Sequence, residues 1–376
     1  MKAVYVLILR MFLLTGCWDQ KSVQDMNIVT AIGIDYKDGL YTMYGKLTDF
    51  SAVSTTENGG NKSNKTSWVG KGMGKTVNLA FYDLYPSAQH QTLWTHVKSI
   101  VLSESALANL TDITEELLRS RDLRYTPWVY GTKDKIEDIF NADTTFNQSP
   151  LMLEMFEPRE VYKQRSGIEP IRLQKLMNAV REPASTVLLP EISLSSRHWS
   201  TNQKNNPMMQ LKGVFAIHRG ASEGWLPEAD MNGARLLTFS HINRFPLNLD
   251  ASKGTPASLN LYNPSSSYSM HLENGKIIFN ARATIHANIT ESSWKKGLDV
   301  KQMKAKAEQK LMRDIYEDFD KAQRKGIDLY HFEEWLYRHH YEIWKQKSSG
   351  GPLLQNVHLG DVKVKVMIDH SNTYKM

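Results

Sequence analysis

Cysteine is almost absent from this chain of 376 residues, which contains Cys17 and no other. Because no thiol follows Cys17, the rest of the chain can form no internal disulfide and no cysteine-based zinc or iron–sulfur site. Stability must therefore come from an apolar core. The length is sufficient for such a core, and the usual size of domains predicts two or three of them.

The position of Cys17 predicts lipid attachment. It lies directly behind an apolar N-terminal stretch, as in the cleavage site of an exported lipoprotein. We expect residues 1–16 to be a signal peptide and Cys17 to carry diacylglycerol and a fatty acyl group such as palmitate. These chains would anchor the mature protein at the extracytoplasmic face of a membrane. The residues that would be recognised at the cleavage site are Leu14, Thr15 and Gly16.

Apolar runs of membrane-spanning length and strong charge of either sign are also missing. The stretch before Cys17 is well short of the ~20 apolar residues that a spanning helix needs. Lys2 supplies the positive start of a signal peptide, and Arg10 interrupts its apolar centre. Without these two residues the chain has 44 basic and 40 acidic residues, a net charge of +4. This excess suits a protein held near an anionic lipid surface, whereas nucleic-acid binding would need a clustered basic face.

Signatures of catalysis, cofactor binding and metal binding are missing as well. Residues 70–76 are similar to a phosphate-binding loop, but Val69 stands where its first glycine belongs, so we predict a strand end and a turn before a helix. Residues 331–340 gather histidines without His-Glu-x-x-His spacing, which favours a packed helix with a solvated histidine face. No nucleophile elbow or assignable carboxylate pair is present.

Residues 335–344 are rich in aromatic side chains. We expect these side chains to pack in the core and not to form an exposed partner surface. They are Trp335, Tyr337, Tyr341 and Trp344.

Apolar periodicity predicts an α+β fold. Strands alternate with helices through the first half, beginning with the apolar strand 28–35, which favours a mixed sheet with helices on one side. In the second half, residues 277–290 alternate apolar and polar side chains after an Asn-Gly turn, and residues 362–368 repeat this pattern. Residues 301–325 have the spacing of a long amphipathic helix. A largely antiparallel sheet backed by that helix is therefore expected in the C-terminal region.

Between these halves the periodicity weakens. Pro183, Pro190 and Pro207 interrupt it, and residues 195–207 are polar and the best candidate for a linker. The sequence therefore predicts an N-terminal domain over residues 17–200 and a C-terminal domain over residues 208–376. A small separate middle subdomain near 150–205 is left open.

The start of the mature chain resembles a known family. Cys17 begins the tripeptide Cys-Trp-Asp, and the strand 28–35 ends in Gly-Ile-Asp a short distance later. Both features are similar to the Ger(x)C family, the lipoprotein C subunits of nutrient germinant receptors in endospore-forming bacteria. The order and length of the remaining segments are compatible with this family, with one domain of the family in each predicted half.

The resemblance implies a subunit that is needed for spore germination in response to nutrients and that is not an enzyme. Its expected location is the spore inner membrane, where it would assemble with the A and B subunits of the receptor. Neither a metal nor a cofactor is implied.

Two other functions are considered for an anchored protein of this length. A solute-binding lipoprotein that delivers a small ligand to a membrane transporter would have two similar, doubly wound lobes around a hinge. The sequence has no evident internal repeat and differs in character between its halves, so we keep this function as the alternative. A surface hydrolase would need a nucleophile or metal motif, which we do not find.

Overall fold

The computed structural model describes residues 26–48, 68–142, 150–201, 203–239, 241–249, 257–292, 300–349 and 353–371. The predicted signal peptide and the lipid attachment site lie outside these ranges, including Leu14, Thr15, Gly16 and Cys17. Their assignment stays a prediction.

Twelve strands precede the C-terminal sheet in the described part of the chain. They are β1 (Met26–Lys37), β2 (Leu40–Leu47), β3 (Trp68–Gly74), β4 (Gln91–Leu93), β5 (Ser99–Ser103), β6 (Trp128–Thr132), β7 (Ile171–Arg172), β8 (Thr186–Ser195), β9 (Ser200–Thr201), β10 (Lys204–Asn205), β11 (Met208–His218) and β12 (Ala221–Pro227). Strands β9 and β10 form a separate ribbon. The others form one large sheet in the order β12-β11-β8-β6-β5-β1-β2-β3, with β4 beside β1 and β7 beside β6.

Strands β1, β5, β6 and β8 are parallel, so all four begin at the same end of the large sheet. We call this end the strand-start end. Their apolar residues are buried on both faces, as is usual for parallel strands.

The helices of the described ranges are numbered in chain order. They are α1 (Val77–Tyr82), α2 (Leu110–Arg119), α3 (Ile136–Phe140), α4 (Pro158–Gln164), α5 (Leu173–Arg181), α6 (Asn232–Leu237), α7 (Val300–Arg324), α8 (Phe332–His339) and α9 (Tyr341–Ser348). Short 3₁₀ turns lie between several of them.

Both faces of the large sheet are covered, whereas the sequence predicted helices on one side. Helices α1, α2 and α5 pack with one set of apolar strand residues, and α3 packs with the other set. Leu153, Met155 and Phe156 extend the cover on the second face. The sequence predicts the helix near residues 134–140 and a helical piece over 151–156, but it does not show which face of the sheet they cover. The helix is found, whereas residues 153–156 form no α-helix.

The C-terminal sheet has four strands in the described ranges. They are β13 (Phe245–Leu249), β14 (Ala257–Glu273), β15 (Lys276–Ser292) and β16 (Val357–Ser371), paired in that order. At the predicted hairpin, Asn274 and Gly275 have φ values of 50° and 79°, as a tight type I′ turn requires. The first two pairs are antiparallel, and β15 pairs with β16 in parallel because α7 returns the chain to the same end. The predicted α+β fold is confirmed, with a largely antiparallel sheet backed by a long helix.

Strand pairing runs across the segment that the sequence predicts as a linker. Strands β8 and β11 are antiparallel neighbours, so residues 195–208 are the connection of a hairpin within the large sheet. The apolar core of the C-terminal region also includes Val214, Ala216 and Leu226 from β11 and β12. The two predicted domains therefore share a packed surface, and their exact limits stay a prediction.

Helix α7 protects the outer edge of β16. The Tyr316 hydroxyl donates to the Gly360 carbonyl at 2.7 Å and accepts from the Val362 N–H at 3.1 Å. A Glu308 carboxylate oxygen accepts from the Val366 N–H at 3.0 Å. Side chains of the helix thus occupy backbone groups that an exposed edge strand would otherwise offer to another chain.

We expect Tyr316→Phe to lower the free energy of unfolding by about 1 kcal/mol, because it leaves one donor and one acceptor of β16 without this partner. Urea denaturation of the purified protein measures this change. The matched control is Tyr341→Phe, since no hydrogen bond of the Tyr341 hydroxyl occurs among the described residues. Equal stability of the two variants would contradict the role of Tyr316 at the edge.

Candidate functional site

A cavity of about 900 Å³ opens where the strand-start end of the large sheet meets the C-terminal region. Trp128 at the start of β6 and Thr186 at the start of β8 form its inner side, next to helix α5. Ile242 and His331 close it from the C-terminal region. The cavity thus depends on both predicted domains.

The wall of the cavity is mixed in character. Side-chain amides come from Asn178, Asn243 and Asn263, while Val187 and Ile242 provide apolar surface. Its volume is in the usual range for sites that bind small molecules, although such sites are mostly more apolar. This lining suits a polar ligand with several hydrogen-bonding groups.

One rim of the cavity contains an arginine paired with two carboxylates. The Arg338 guanidinium lies 2.6 Å from Glu334 and 3.6 Å from Glu182. The Ser185 hydroxyl donates to Glu334 at 3.4 Å. These contacts connect α8 to the segment between α5 and β8. With two carboxylates and one guanidinium, this rim has an excess of negative charge.

His331 is a half-buried part of the wall. It precedes α8 in the left-handed backbone region with φ of 56°, and its Nε2 atom is buried with no hydrogen-bond partner among the described residues. Burial, supported by the nearby Lys175 charge, lowers the pKa of His331 to about 4. The imidazole is therefore neutral at pH 7.

The other histidines of this region lie elsewhere. His339 and His340 are exposed, as predicted, and their rings lie 4.5 and 5.3 Å from that of Trp335. Among the residues that the structure describes, no three His, Cys, Asp or Glu side chains are grouped as metal ligands would be.

The aromatic stretch divides between core and surface. Phe332 and Trp344 are buried, and Trp335 and Tyr337 pack against the same core. Tyr341 is 46% exposed. Core packing therefore holds for all of these rings except Tyr341.

A polar junction holds α8 against the large sheet behind the cavity. Glu333 accepts from the Trp344 indole N–H at 3.1 Å and lies 3.4 Å from Arg219 and 3.8 Å from His218. Asp328 accepts from two backbone N–H groups at the start of α8, at 2.9 and 2.7 Å, while burial raises the pKa of its carboxyl to about 6. The junction fixes the position of His331 between these residues.

The glycine-rich segment at residues 70–76 has a packing role. A Cβ atom on Gly72 would lie 2.3 Å from the Ala80 carbonyl oxygen, and one on Gly74 would lie 2.5 Å from the Ala80 nitrogen. The glycines therefore let α1 lie directly on β3. Thr76 caps the helix by accepting from the Leu79 N–H at 3.2 Å. The predicted strand end, turn and helix are confirmed.

Two buried cations were missed by the sequence analysis. Lys46 in β2 donates to the Phe140 carbonyl, and burial lowers its pKa to about 8. Arg235 is 3% exposed, lies 3.0 Å from Glu228 and stacks 4.0 Å from the Phe245 ring centre. The local sequence does not indicate that either side chain is buried, because tertiary packing brings the contacting residues together. Both hold neighbouring segments together away from the cavity lining.

None of the helices in the described ranges combines the length and the apolar character needed to cross a bilayer.

Comparison with known proteins gives matches across both halves of the chain. Residues 19–194 match the model of the spore germination protein N-terminal domain. Residues 212–372 match the model described as spore germination B3/GerAC-like, C-terminal.

Relatives in Bacillus subtilis (strain 168) include the putative spore germination protein YfkR, 25% identical over 283 residues, which cover 73% of this chain and 72% of the relative. Spore germination protein KC is 20% identical over 362 residues, covering 92% and 89%. Spore germination protein B3 is 22% identical over 357 residues, covering 91% and 90%.

A solved structure shows the same fold. The crystal structure of the GerBC protein aligns with a TM-score of 0.52 at 15% identity, covering 90% of this chain and 97% of that one. The resemblance to the Ger(x)C family is thereby confirmed. With its N-terminal and C-terminal models matched in order over most of the sequence, this chain belongs to the GerAC-like family of spore germination proteins.

Proposed function

We propose that the protein is the C-type lipoprotein subunit of a nutrient germinant receptor and is needed for germination in response to nutrients. The observation that carries this proposal is the ordered match of both family models, over residues 19–194 and 212–372. Relatives that align over about nine-tenths of the chain are named as spore germination proteins. The protein would act by assembly with partner subunits and not by catalysis.

The proposed tether places the strand-start end of the large sheet near the membrane. Eight residues separate Cys17 from Met26, the first residue of β1. Even a fully extended chain of this length spans only about 30 Å. A diacylglyceryl group on Cys17 would therefore keep the folded chain at the outer surface of the spore inner membrane. Such confinement raises its effective concentration toward membrane partners, so a weak interface suffices.

The partners we propose are the A and B subunits of the receptor. The alternative, a solute-binding lipoprotein, requires two similar lobes around a hinge. In the described ranges the two sheets differ, one being mixed with ten strands and the other having four. Their shared core also gives no sign of an open hinge between equal lobes. These features favour the receptor subunit.

Affinity capture tests the assembly. We expect the tagged full-length chain, isolated from detergent-solubilised spore membranes, to bring down a polytopic membrane subunit and a second large receptor subunit, identified by mass spectrometry. Membranes from spores with the untagged chain serve as the control. Recovery of transporter components, or of no membrane protein beyond the control, would contradict the proposal.

A further inference from the structure

Cations without carboxylate partners gather on one side of the cavity. Arg159, Arg172 and Lys175 all line it, and none of them forms an ion pair with a carboxylate in the described part of the chain. This contrasts with Arg338 on the opposite rim, which has two carboxylate partners. The positive charge of the cavity is thus concentrated where the strands of the large sheet begin.

Trp128 holds two of these cations close together. The Arg172 guanidinium carbon lies 3.4 Å from the Trp128 ring centre, and that of Arg159 lies 5.2 Å from it. The Arg172 guanidinium also donates to the Thr126 carbonyl, which fixes its direction. The exposed Glu157 carboxylate acts on Arg172 from nearby and also lies 3.9 Å from Lys98. Two like charges held on one ring repel each other unless an anion lies between or beside them.

The third cation extends this group along α5. The Lys175 side chain is exposed at the cavity, and its charge helps to lower the pKa of His331 on the other side. The amide of Asn178 lies on the same side of the wall, and His331 lines the opposite side. Three carboxylates also line the cavity: Glu182 and Glu334 pair with Arg338, and Glu169 has contacts of its own. The lining therefore offers a planar cation fork, a point charge and neutral hydrogen-bonding groups in one place.

We propose that this cavity binds a phosphate-bearing polar molecule, with Arg159, Arg172 and Lys175 as the partners of the phosphate group. Arginine forks match phosphate oxygens in pairs, and lysine adds an ammonium donor. The volume of about 900 Å³ exceeds the size of a phosphate ion. The amides of Asn178, Asn243 and Asn263 suit hydroxyl groups attached to it.

Two sources can supply this chemistry, an anionic lipid headgroup or a free phosphate ester. The strand-start end contains both the cavity and Met26, where the chain comes from Cys17. Strand β6 lies two strands from β1, a distance of about 10 Å. A lipid source therefore rests on the proposed tether, whereas the anion site itself does not.

Binding is measured with the whole predicted mature chain, residues 17–376, carrying Cys17→Ala, so that neither an attached lipid nor the apolar segment 1–16 contributes. In one arm, sn-glycerol 3-phosphate is titrated into the protein by calorimetry. In the other, the protein is sedimented with phosphatidylcholine vesicles that contain or lack phosphatidylglycerol. We expect binding in at least one arm, with vesicle binding only when phosphatidylglycerol is present, and weakening at higher salt. The arm that responds identifies the source.

Substitutions then assign the binding to the cavity. We expect Arg172→Ala to weaken it about tenfold or more, and Arg159→Ala and Lys175→Ala each about three- to tenfold. The last two side chains are exposed and make no ion pair in the described residues, so both variants should fold normally. The matched control is Lys204→Ala in β10, beyond the far end of β8, and we expect less than about a twofold change there.

The proposal is overturned if neither arm shows binding, if vesicles without phosphatidylglycerol bind equally well, or if Arg159→Ala and Lys175→Ala bind like the control. None of these measurements depends on germination or on receptor partners. A negative result here leaves the receptor proposal intact, and a failed capture of partners leaves the anion site intact.

Discussion

Replacing Cys17 by alanine should transfer the protein from the membrane fraction of spores to the soluble fraction. Each methylene of an acyl chain that enters the bilayer contributes ~0.8 kcal/mol, so the chains of a diacylglyceryl group together outweigh any other membrane attraction available. A basic residue near an anionic surface contributes only about 1 kcal/mol. The mature chain has a net charge of just +4. We therefore expect near-complete release, measured by fractionation and immunoblotting.

A control that leaves the proposed acylation site intact accompanies this test. Ser22→Ala changes a polar side chain five residues after Cys17, and this variant should stay attached. Mass spectrometry of the native protein should find Cys17 as an acylated N-terminus. A Cys17→Ala protein that remains fully in the membrane fraction would be incompatible with the anchor. A native chain that still contains residues 1–16, with Cys17 unmodified, would be incompatible with it as well.

The salt dependence of membrane attachment distinguishes the lipid anchor on Cys17 from binding of anionic lipid at the cavity. Release of Cys17→Ala should become more complete at high ionic strength if Arg159, Arg172 and Lys175 retain some contact with anionic lipid. Exposed charge contacts weaken as the Debye length shortens, whereas acyl chains in the bilayer do not respond to salt in this way.

Local patterns predicted the C-terminal sheet well. The alternation in residues 277–290 assigns one face to the core, and Ile277, Phe279 and Ile285 are indeed buried. The Asn-Gly turn and the amphipathic period of α7 are also properties of short segments. These elements are predictable because a few neighbouring residues decide their geometry.

Strand β8 shows where local patterns fail. Pro190 interrupts the sequence pattern, but in the structure it lies within β8 and pairs in register with Val214 of β11. A proline is tolerated here because β8 pairs with β6 only at Glu191 and Gly131. The missing N–H of Pro190 therefore removes little from the sheet.

The cavity could not be predicted from the sequence. Trp128, Arg172, Thr186 and His331 come from four separate segments, and each has ordinary neighbours in the chain. Only the parallel order of β6 and β8 and the position of α8 bring them together. His331 was interpreted with the neighbouring histidines, yet the left-handed backbone before α8 directs it into the cavity wall while His339 remains exposed.

Replacing Phe279 by alanine should lower the free energy of unfolding by about 3–5 kcal/mol. The ring is fully buried in β15 and stacks on Phe332 with centroids 4.1 Å apart and planes 12° apart. Trp335 and Tyr268 approach it edge-on at 5.4 and 6.4 Å. Alanine would lose the buried apolar area, leave a void among rigid rings and remove these aromatic contacts.

Urea denaturation measures this loss, with Leu272→Ala as the control because Leu272 lies near the same hairpin and is 52% exposed. We expect the control to lose less than about 1 kcal/mol. Similar losses in both variants would show that the aromatic cluster does not fix α8 to the sheet. Because Phe332 directly follows His331, Phe279→Ala should also loosen the cavity wall and weaken glycerol phosphate binding under conditions where the variant remains folded. Stability and ligand binding should therefore change together at this position, whereas Lys175→Ala should change binding alone.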